Sequence, residues 1–303
     1  MKEAKAEARA AEAACHFCKG TKALQTRCHY KSHVNIFYTA STRAVWSIGS
    51  NYVLKERSLD PSMPNTEASS TTFLQEHTTI PIPHILKDWV DTTTNSYFEI
   101  LERIPGQTVE EAWPTMSAEQ KSHITRQTAT ALGQLRKLQS HRMQGIDDNP
   151  LLCFFLLGGR SGPFDSDEEL WAAMAANLPE TIPLKAKDAL GKRMPTAKPY
   201  TFSHTDLAIC NVMVQDSGDL AAIIDWEYGS FCPVWWEYTK LAFGFSKDDT
   251  EWKVMLRNSL EEKHEQALEF VKTYYYLCTG MSSYAEEDQK LRAEQILKEL
   301  MSE

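Results

Sequence analysis

Apolar and polar positions along the chain alternate first in short runs and later at helical spacing, and that change of period divides the sequence. Between Val34 and Ser58 the runs VNIFYTA and RAVWSIGSNYVLKER are rich in β-branched and aromatic residues, with Gly49-Ser50-Asn51 as the turn between the last two strands. Lys55 falls near the end of a strand. From Met63 to Thr78, Pro64 and Asn65 open a segment in which Glu67, Ala68, Phe73 and Leu74 are spaced for a short helix. The breaker Ile80-Pro81-Ile82-Pro83 follows, then a loop. The run SYFEILER alternates well enough for a strand, and Ile104-Pro105-Gly106 ends it abruptly.

Beyond that connector the period becomes helical. Ser117 with Gln120 fits a capping box, and Ile124, Ala131, Leu132, Leu135 and Leu138 then recur at helical spacing to about His141. This helix is expected to be the central pillar of a second lobe. Past Trp171 the pattern stays mostly helical, interrupted from Phe202 to Tyr228. The reading is an α+β chain in three parts: an extension over 1–33, a small β-rich lobe over 34–103 and a larger, mainly helical lobe over 104–303.

The interruption carries the chemistry. Its two short β-type runs, NVMV and LAAIID, flank Gln215-Asp216-Ser217-Gly218-Asp219, a hairpin signal. Asn211 lies seven residues before Gly218 and Asp225 seven after it, so antiparallel pairing brings both to one open end within a residue of register. Asp206 enters just ahead of that end. Two oxygen ligands beside a third carboxylate suit Mg²⁺, which keeps several waters and completes its shell from phosphates. His204-x-Asp206 with Asn211 five residues later has the spacing of a kinase catalytic loop, and Asp225 stands where the next metal-binding Asp belongs. Phosphoryl transfer needs a metal, a cation on the phosphates and a carboxylate to orient or deprotonate the attacking hydroxyl. Lys55, with Glu67 twelve residues on to hold it, supplies the cation.

Composition narrows the partners. With 42% hydrophobic and 24% charged residues and no run of eighteen apolar side chains, the sequence reads as a soluble globular protein without a membrane span. A formal charge of -9 disfavours nucleic-acid binding, which needs clustered Lys and Arg. The opening MKEAKAEARAAEAA is charged and lacks an apolar core, so the expected location is cytoplasmic. Seven scattered cysteines read as reduced thiols rather than a disulfide framework. Cys15, Cys18 and Cys28 with His29 or His33 offer four zinc ligands, but the gap is short and no second CxxC follows; thiols of a plain extension are the alternative.

These motifs resemble the aminoglycoside phosphotransferase and choline-kinase-like group of the protein-kinase-like superfamily, especially its fungal members. The resemblance rests on SHTDLAICNVMV, AIIDWEYGSFCPVWWEY, NYVLKE, NTEA and FEILERIPGQTVEEAW, and spans roughly Val34 to Tyr276. It implies a bilobal protein-kinase-like fold that uses ATP and Mg²⁺ to phosphorylate a hydroxyl of a small molecule. By position it implies Asp206 as base, Asn211 and Asp225 as Mg²⁺ ligands, and Lys55 paired with Glu67 on the nucleotide phosphates. Backbone groups near Glu102 and Ile104 would receive the adenine, and His204 would brace the loop.

The sequence departs from that family in two places. Thr205 stands where Gly is usual, and a β-branched residue there is strained if the backbone needs positive φ. RAVWSIGSN lacks a glycine-rich phosphate loop, leaving the nucleotide held less tightly or by side chains such as Ser41 and Thr42. Both departures motivate a second reading, a pseudokinase that binds a nucleotide or a protein without catalysis. The cluster Trp226, Trp235, Trp236 and Tyr238 with Glu227 and Glu237 fits either a site for a cationic acceptor or core packing, and the spacing from Trp235 to Thr239 favours packing. The segment from Ser283 to Glu303 reads as a solvated acidic face. Acceptor choice belongs to the insert around 143–200, which carries no decodable motif.

Overall fold

The computed structural model describes residues 34–40, 42–60, 66–153, 157–282 and 285–303. The zinc reading of Cys15, Cys18 and Cys28 lies outside them, as do Ser41, Pro64 and Asn65. The β-rich segment forms five antiparallel strands: β1 Val34–Ala40, β2 Arg43–Ile48, β3 Tyr52–Ser58, β4 Ile85–Asp91 and β5 Ser96–Glu102, in the order β1-β2-β3-β5-β4. Helix α1, Glu67–His77, stands between β3 and β4 in sequence. Lys55 is the fourth of the seven residues of β3, opposite Val45 on β2 and Glu99 on β5, so it sits mid-strand rather than near an end. A loop was expected before SYFEILER; the chain instead forms β4. That strand lies at the sheet edge with Leu86 and Val90 exposed and no residue fully buried on either face, so no clean alternation is left to read.

The chain then crosses over. Strand β6, Gln107–Thr108, leads into α2, Val109–Ala112, and Ser117 caps α3, Ala118–Leu135. The capping box is present, with Gln120 N–H donating to Ser117 Oγ at 3.3 Å and Ser117 N–H donating to Gln120 Oε1 at 2.9 Å. The helix stops at Leu135 because 139–140 pair into a sheet. The insert holds β7 Gln139–Ser140, β8 Gln144–Gly145, β9 Leu151–Cys153, β10 Gly159–Ser161, α4 Asp167–Asn177 and α5 Leu184–Lys192. Strands β11 Tyr200–Ser203, β12 Val212–Val214, β13 Leu220–Ile223 and β14 Ser230–Pro233 follow. Helices α6 Trp236–Lys240, α7 Lys247–Ser259, α8 Glu265–Gly280 and α9 Glu287–Ser302 complete the chain.

The core sits in this helical half. Trp113, Trp226, Trp235, Trp236, Trp252 and Tyr274 are fully buried there, whereas β1 is exposed along nearly its whole length. Two small sheets carry the functional loops: β7-β11-β14-β8 and β13-β12-β6. In the second, β6 pairs with β12, bringing the connector after β5 against the hairpin. Gly106 makes this approach feasible: its φ is +114°, and a Cβ there would sit 2.2 Å from the carbonyl oxygen of Val214. No helix among the described residues is long and apolar enough to cross a membrane.

Candidate active site

Strand β11 delivers the loop 204–211 to the cleft, and buried contacts fix its backbone. The ring of His204 is fully buried, 4.5 Å from that of Trp226. Its Nε2 lies 2.9 Å from the carbonyl of Ile224, which only accepts, so the proton belongs on Nε2; Nδ1 then accepts the N–H of Asp206 at 3.3 Å. The His204 N–H donates to Glu237 Oε2 at 2.9 Å, and the Ile209 N–H donates to Asp249 Oδ1 at 3.0 Å. Asp249 is itself buried and paired with Lys253 at 2.9 Å. Between these anchors Thr205 has φ +65°, the strained geometry its β-branch makes costly, and its Oγ1 donates to the carbonyl of Tyr228 at 2.8 Å. Asp206 is left exposed to solvent at the end of a rigid support.

The hairpin follows the expected pairing. Val212 faces Ile223 and Met213 faces Ala222, with an irregularity before Val214 and Leu220, and the turn closes through the Gly218 N–H to the Gln215 carbonyl at 2.8 Å. The Ile224 N–H donates to the Asn211 carbonyl at 2.9 Å, so Asp225 lies one residue beyond the partner of Asn211. Asp225 then turns sharply, with φ +68° and ψ +56°, into the short helical turn Trp226–Tyr228. Aspartate tolerates this left-handed conformation better than most residues. The Asn211 Nδ2 donates to the Asp206 carbonyl at 2.9 Å, leaving Oδ1 to the weak thiol donor of Cys210 at 3.7 Å.

Lys55 ties the two halves together. Its Nζ donates to both carboxylate oxygens of Glu67, at 2.6 and 2.8 Å, and to Asp225 Oδ1 at 2.8 Å. Burial pulls the ammonium down, but Asp225 and Glu67 outweigh it and hold Lys55 well above its ordinary value. Asp225 is kept below the carboxylate range by Lys55, against its own burial, with further help from Arg43. Glu67 goes the other way: burial, with Glu99 and Asp225 nearby, pushes it up to about 8 despite Lys55. One ammonium thus serves several carboxylates, and its charge is committed first to Asp225. A divalent cation at this place would need oxygen donors. The donors that fit are an amide oxygen and a carboxylate, Asn211 and Asp225, a hard and incomplete set suited to Mg²⁺. Among the described residues no group of three or more His, Cys, Asp or Glu side chains forms a fuller metal cage.

A model of the phosphotransferase enzyme family matches residues 39–271. The chain belongs to this phosphotransferase family. Solved structures share its fold at low identity. The streptomycin-ATP-APH(2'')-IIa ternary complex aligns over 92% of this chain and 96% of its own, with a TM-score of 0.57 and 15% identity. A thermostable mutant of the aminoglycoside phosphotransferase APH(4)-Ia, in its apo form, aligns over 89% and 94%, with a TM-score of 0.57 and 14% identity. The GDP complex of aminoglycoside 2'-phosphotransferase-IIIa aligns over 92% and 95%, at 0.56 and 12%. The fold is therefore the bilobal protein-kinase-like one, α+β, with a β-rich lobe before a helical lobe. A search of curated proteins by sequence finds no match.

In this phosphotransferase fold the expected residues fall into three groups. Lys55, Glu67 and Asp225 meet in one cluster, with Asn211 beside Asp225 on the hairpin and Asp206 at the mouth. Glu102 and Ile104 flank the connector between the lobes, where the Glu102 N–H is spent on the His84 carbonyl at 2.9 Å. The acceptor-binding reading of Glu227, Trp235 and Glu237 needs correction. Trp235 is buried in the core with Trp226, Trp236 and Tyr238, so the cluster presents no aromatic face to a ligand. Glu237 takes the His204 N–H, and buried Glu227 is held by Arg43 Nη1 and by Arg57 Nη1 at 3.1 Å. The sequence reading missed Arg43, Arg57, Glu99 and Asp249. Each acts through a contact far away in the chain, and period-two placement of Arg43 and Arg57 on the Lys55 face was the one signal available.

Proposed function

We propose that this protein transfers the γ-phosphate of ATP to a hydroxyl of a small molecule. The observation that carries the reading is the simultaneous bond of Lys55 to Glu67 on α1 and to Asp225 after the hairpin, with Asp206 exposed on the loop that Asn211 holds. Lys55, kept charged chiefly by Asp225, places a cation where phosphate oxygens would lie. Asn211 and Asp225 would hold Mg²⁺, which when bound neutralises charge on the phosphates. Asp206, with its backbone fixed by His204 and by Asn211, orients the acceptor hydroxyl and takes its proton. The buried braces hold this carboxylate rigid at the water-facing mouth, so little reorganisation accompanies the step. Structural neighbours bound to streptomycin with ATP, or to hygromycin B with ADP, support a small hydroxyl-bearing acceptor. The resemblance to fungal members and the cytoplasmic expectation add no constraint on that acceptor. The alternative, a pseudokinase, rests on Thr205 and on the missing glycine-rich loop; Thr205 has the positive φ that strains it, and its hydroxyl anchors the loop that exposes Asp206.

The test is turnover. Protein supplied with Mg²⁺-ATP and a metabolite pool should release ADP in step with a metabolite that gains a phosphate by mass spectrometry. Asp206→Asn should lower that rate by about 10²–10⁴-fold while Mg²⁺-ATP still raises its melting temperature. An Asp206→Asn enzyme as fast as the wild type would remove the base assignment.

A further inference from the structure

The turn between β1 and β2 carries no glycine in its sequence, Ala40-Ser41-Thr42-Arg43, and the two strands close with Ala40 opposite Arg43. From the first residue of β2, a side chain reaches the other lobe. Arg43 Nη1 bonds Glu227 Oε1, and Nη2 donates to the Tyr228 hydroxyl at 2.8 Å. Arg43 is opposite Arg57 and Val45 is opposite Lys55, so both arginines and Lys55 project from the same sheet face. Glu227 follows Asp225 by two residues on the same short turn. The guanidinium of Arg43 therefore rests on the short turn that begins at Asp225, the carboxylate assigned to the metal.

The charges there do not balance. Glu227 is the shared partner of Arg43 and Arg57, and one carboxylate neutralises only one guanidinium. The two arginines also differ in freedom, since the Arg43 side chain is 33% exposed and that of Arg57 only 16%. If Arg43 swings away, Glu227 keeps Arg57 at 3.1 Å, so no buried carboxylate is orphaned. A guanidinium also offers the fork of donors that matches phosphate oxygens.

We propose that Arg43 is a second phosphate-contacting cation, parked on Glu227 in the ligand-free protein and turned onto the triphosphate when nucleotide binds, in place of a glycine-rich loop. This rests on the nucleotide-binding reading above. It also explains why two arginines converge on one glutamate: Arg57 holds the turn in place and Arg43 is the partner that leaves.

Calorimetric titration separates the two claims. A non-hydrolysable ATP analogue and adenosine, each with Mg²⁺, are titrated into wild type and Arg43→Ala. The variant should bind the analogue about ten- to a hundredfold more weakly and adenosine as the wild type does. Equal analogue affinity in the two proteins would overturn the proposal, as would a parallel loss of adenosine affinity, which marks an arginine that only supports the fold. A wild type that binds neither ligand would overturn the nucleotide reading first and this one with it. Should Arg43→Ala fail to fold, Arg43→Gln keeps a neutral donor for Glu227 and is read by the same two criteria.

Discussion

At the scale of single residues, the loop at Thr205 sets a strain against a hydrogen bond. A side chain at φ +65° costs about 1–2 kcal/mol, and the bond from its Oγ1 to the Tyr228 carbonyl returns about 1 kcal/mol. Thr205→Ala discards the bond and keeps the strain, so it should destabilise the protein by about 1 kcal/mol. Thr205→Gly discards both and loosens the unfolded chain by about 0.4–1 kcal/mol. Relief of strain is the larger of these last two effects, so the Gly variant should unfold at higher denaturant than the Ala variant. Chemical denaturation of the three proteins decides it; an Ala variant at least as stable as the Gly variant would show that the backbone is not strained there. Asp225 shares the left-handed geometry but is a residue that tolerates it, and its carboxylate is held by Lys55. The two positive-φ residues thus bracket the hairpin, one aiming Asp206 and the other aiming a metal donor.

Between elements, the contacts divide by how far along the chain their partners lie. The β12–β13 hairpin was legible because a turn of a few residues fixes its register, and with it the neighbourhood of Asn211 and Asp225. Lys55 and Glu67 were legible because a strand and the next helix place them twelve residues apart. Helix α3 was legible from its capping box and its apolar stripe, except at its end, where pairing of β7 with β11 overrides the helical period. Edge strand β4 and the insert strands were not legible, since exposed strands and strands of two or three residues leave no alternation. Nor was Asp249 on α7, which accepts the Ile209 N–H forty residues away and the Phe245 N–H at 3.1 Å while paired with Lys253. Removing one partner of such a buried pair strands the other, so Asp249→Ala should cost about 3–5 kcal/mol. The double variant Asp249→Asn with Lys253→Met, which leaves no unpaired charge, should cost less than Asp249→Ala alone. Urea unfolding of Asp249→Asn, Lys253→Met and their double, beside Asp249→Ala, tests this, and costs of the first two that simply add in the double would show that the two side chains are not coupled.

Across the whole molecule, α1 joins the helical lobe's core through Leu74 and Phe73, whereas the five-stranded sheet is tied to that lobe by a small number of polar contacts. Thr66 Oγ1 donates to the Glu227 carbonyl at 2.6 Å, the Ile223 N–H donates to the Pro81 carbonyl at 2.9 Å, and Lys55 spans to Asp225. Glu227 adds the arginine contacts from β2 and β3, strands whose residues are only partly buried. Because the large buried aromatics lie in the helical lobe, the sheet depends more on these ties than the helices do. Glu227→Ala should therefore loosen the molecule unevenly. Leaving two guanidinia unpaired should cost about 2–3 kcal/mol, less than a fully buried pair because Arg43 is a third exposed. Hydrogen exchange should then quicken at the amides of β2, β3 and β5 while those of α3 and α8 keep their protection. Acceleration spread evenly over both lobes would mean that the protein unfolds as one unit and that Glu227 only adds to its general stability. Acceleration confined to the sheet would instead show that a single carboxylate, two residues beyond Asp225, couples the order of the small lobe to the geometry of the site.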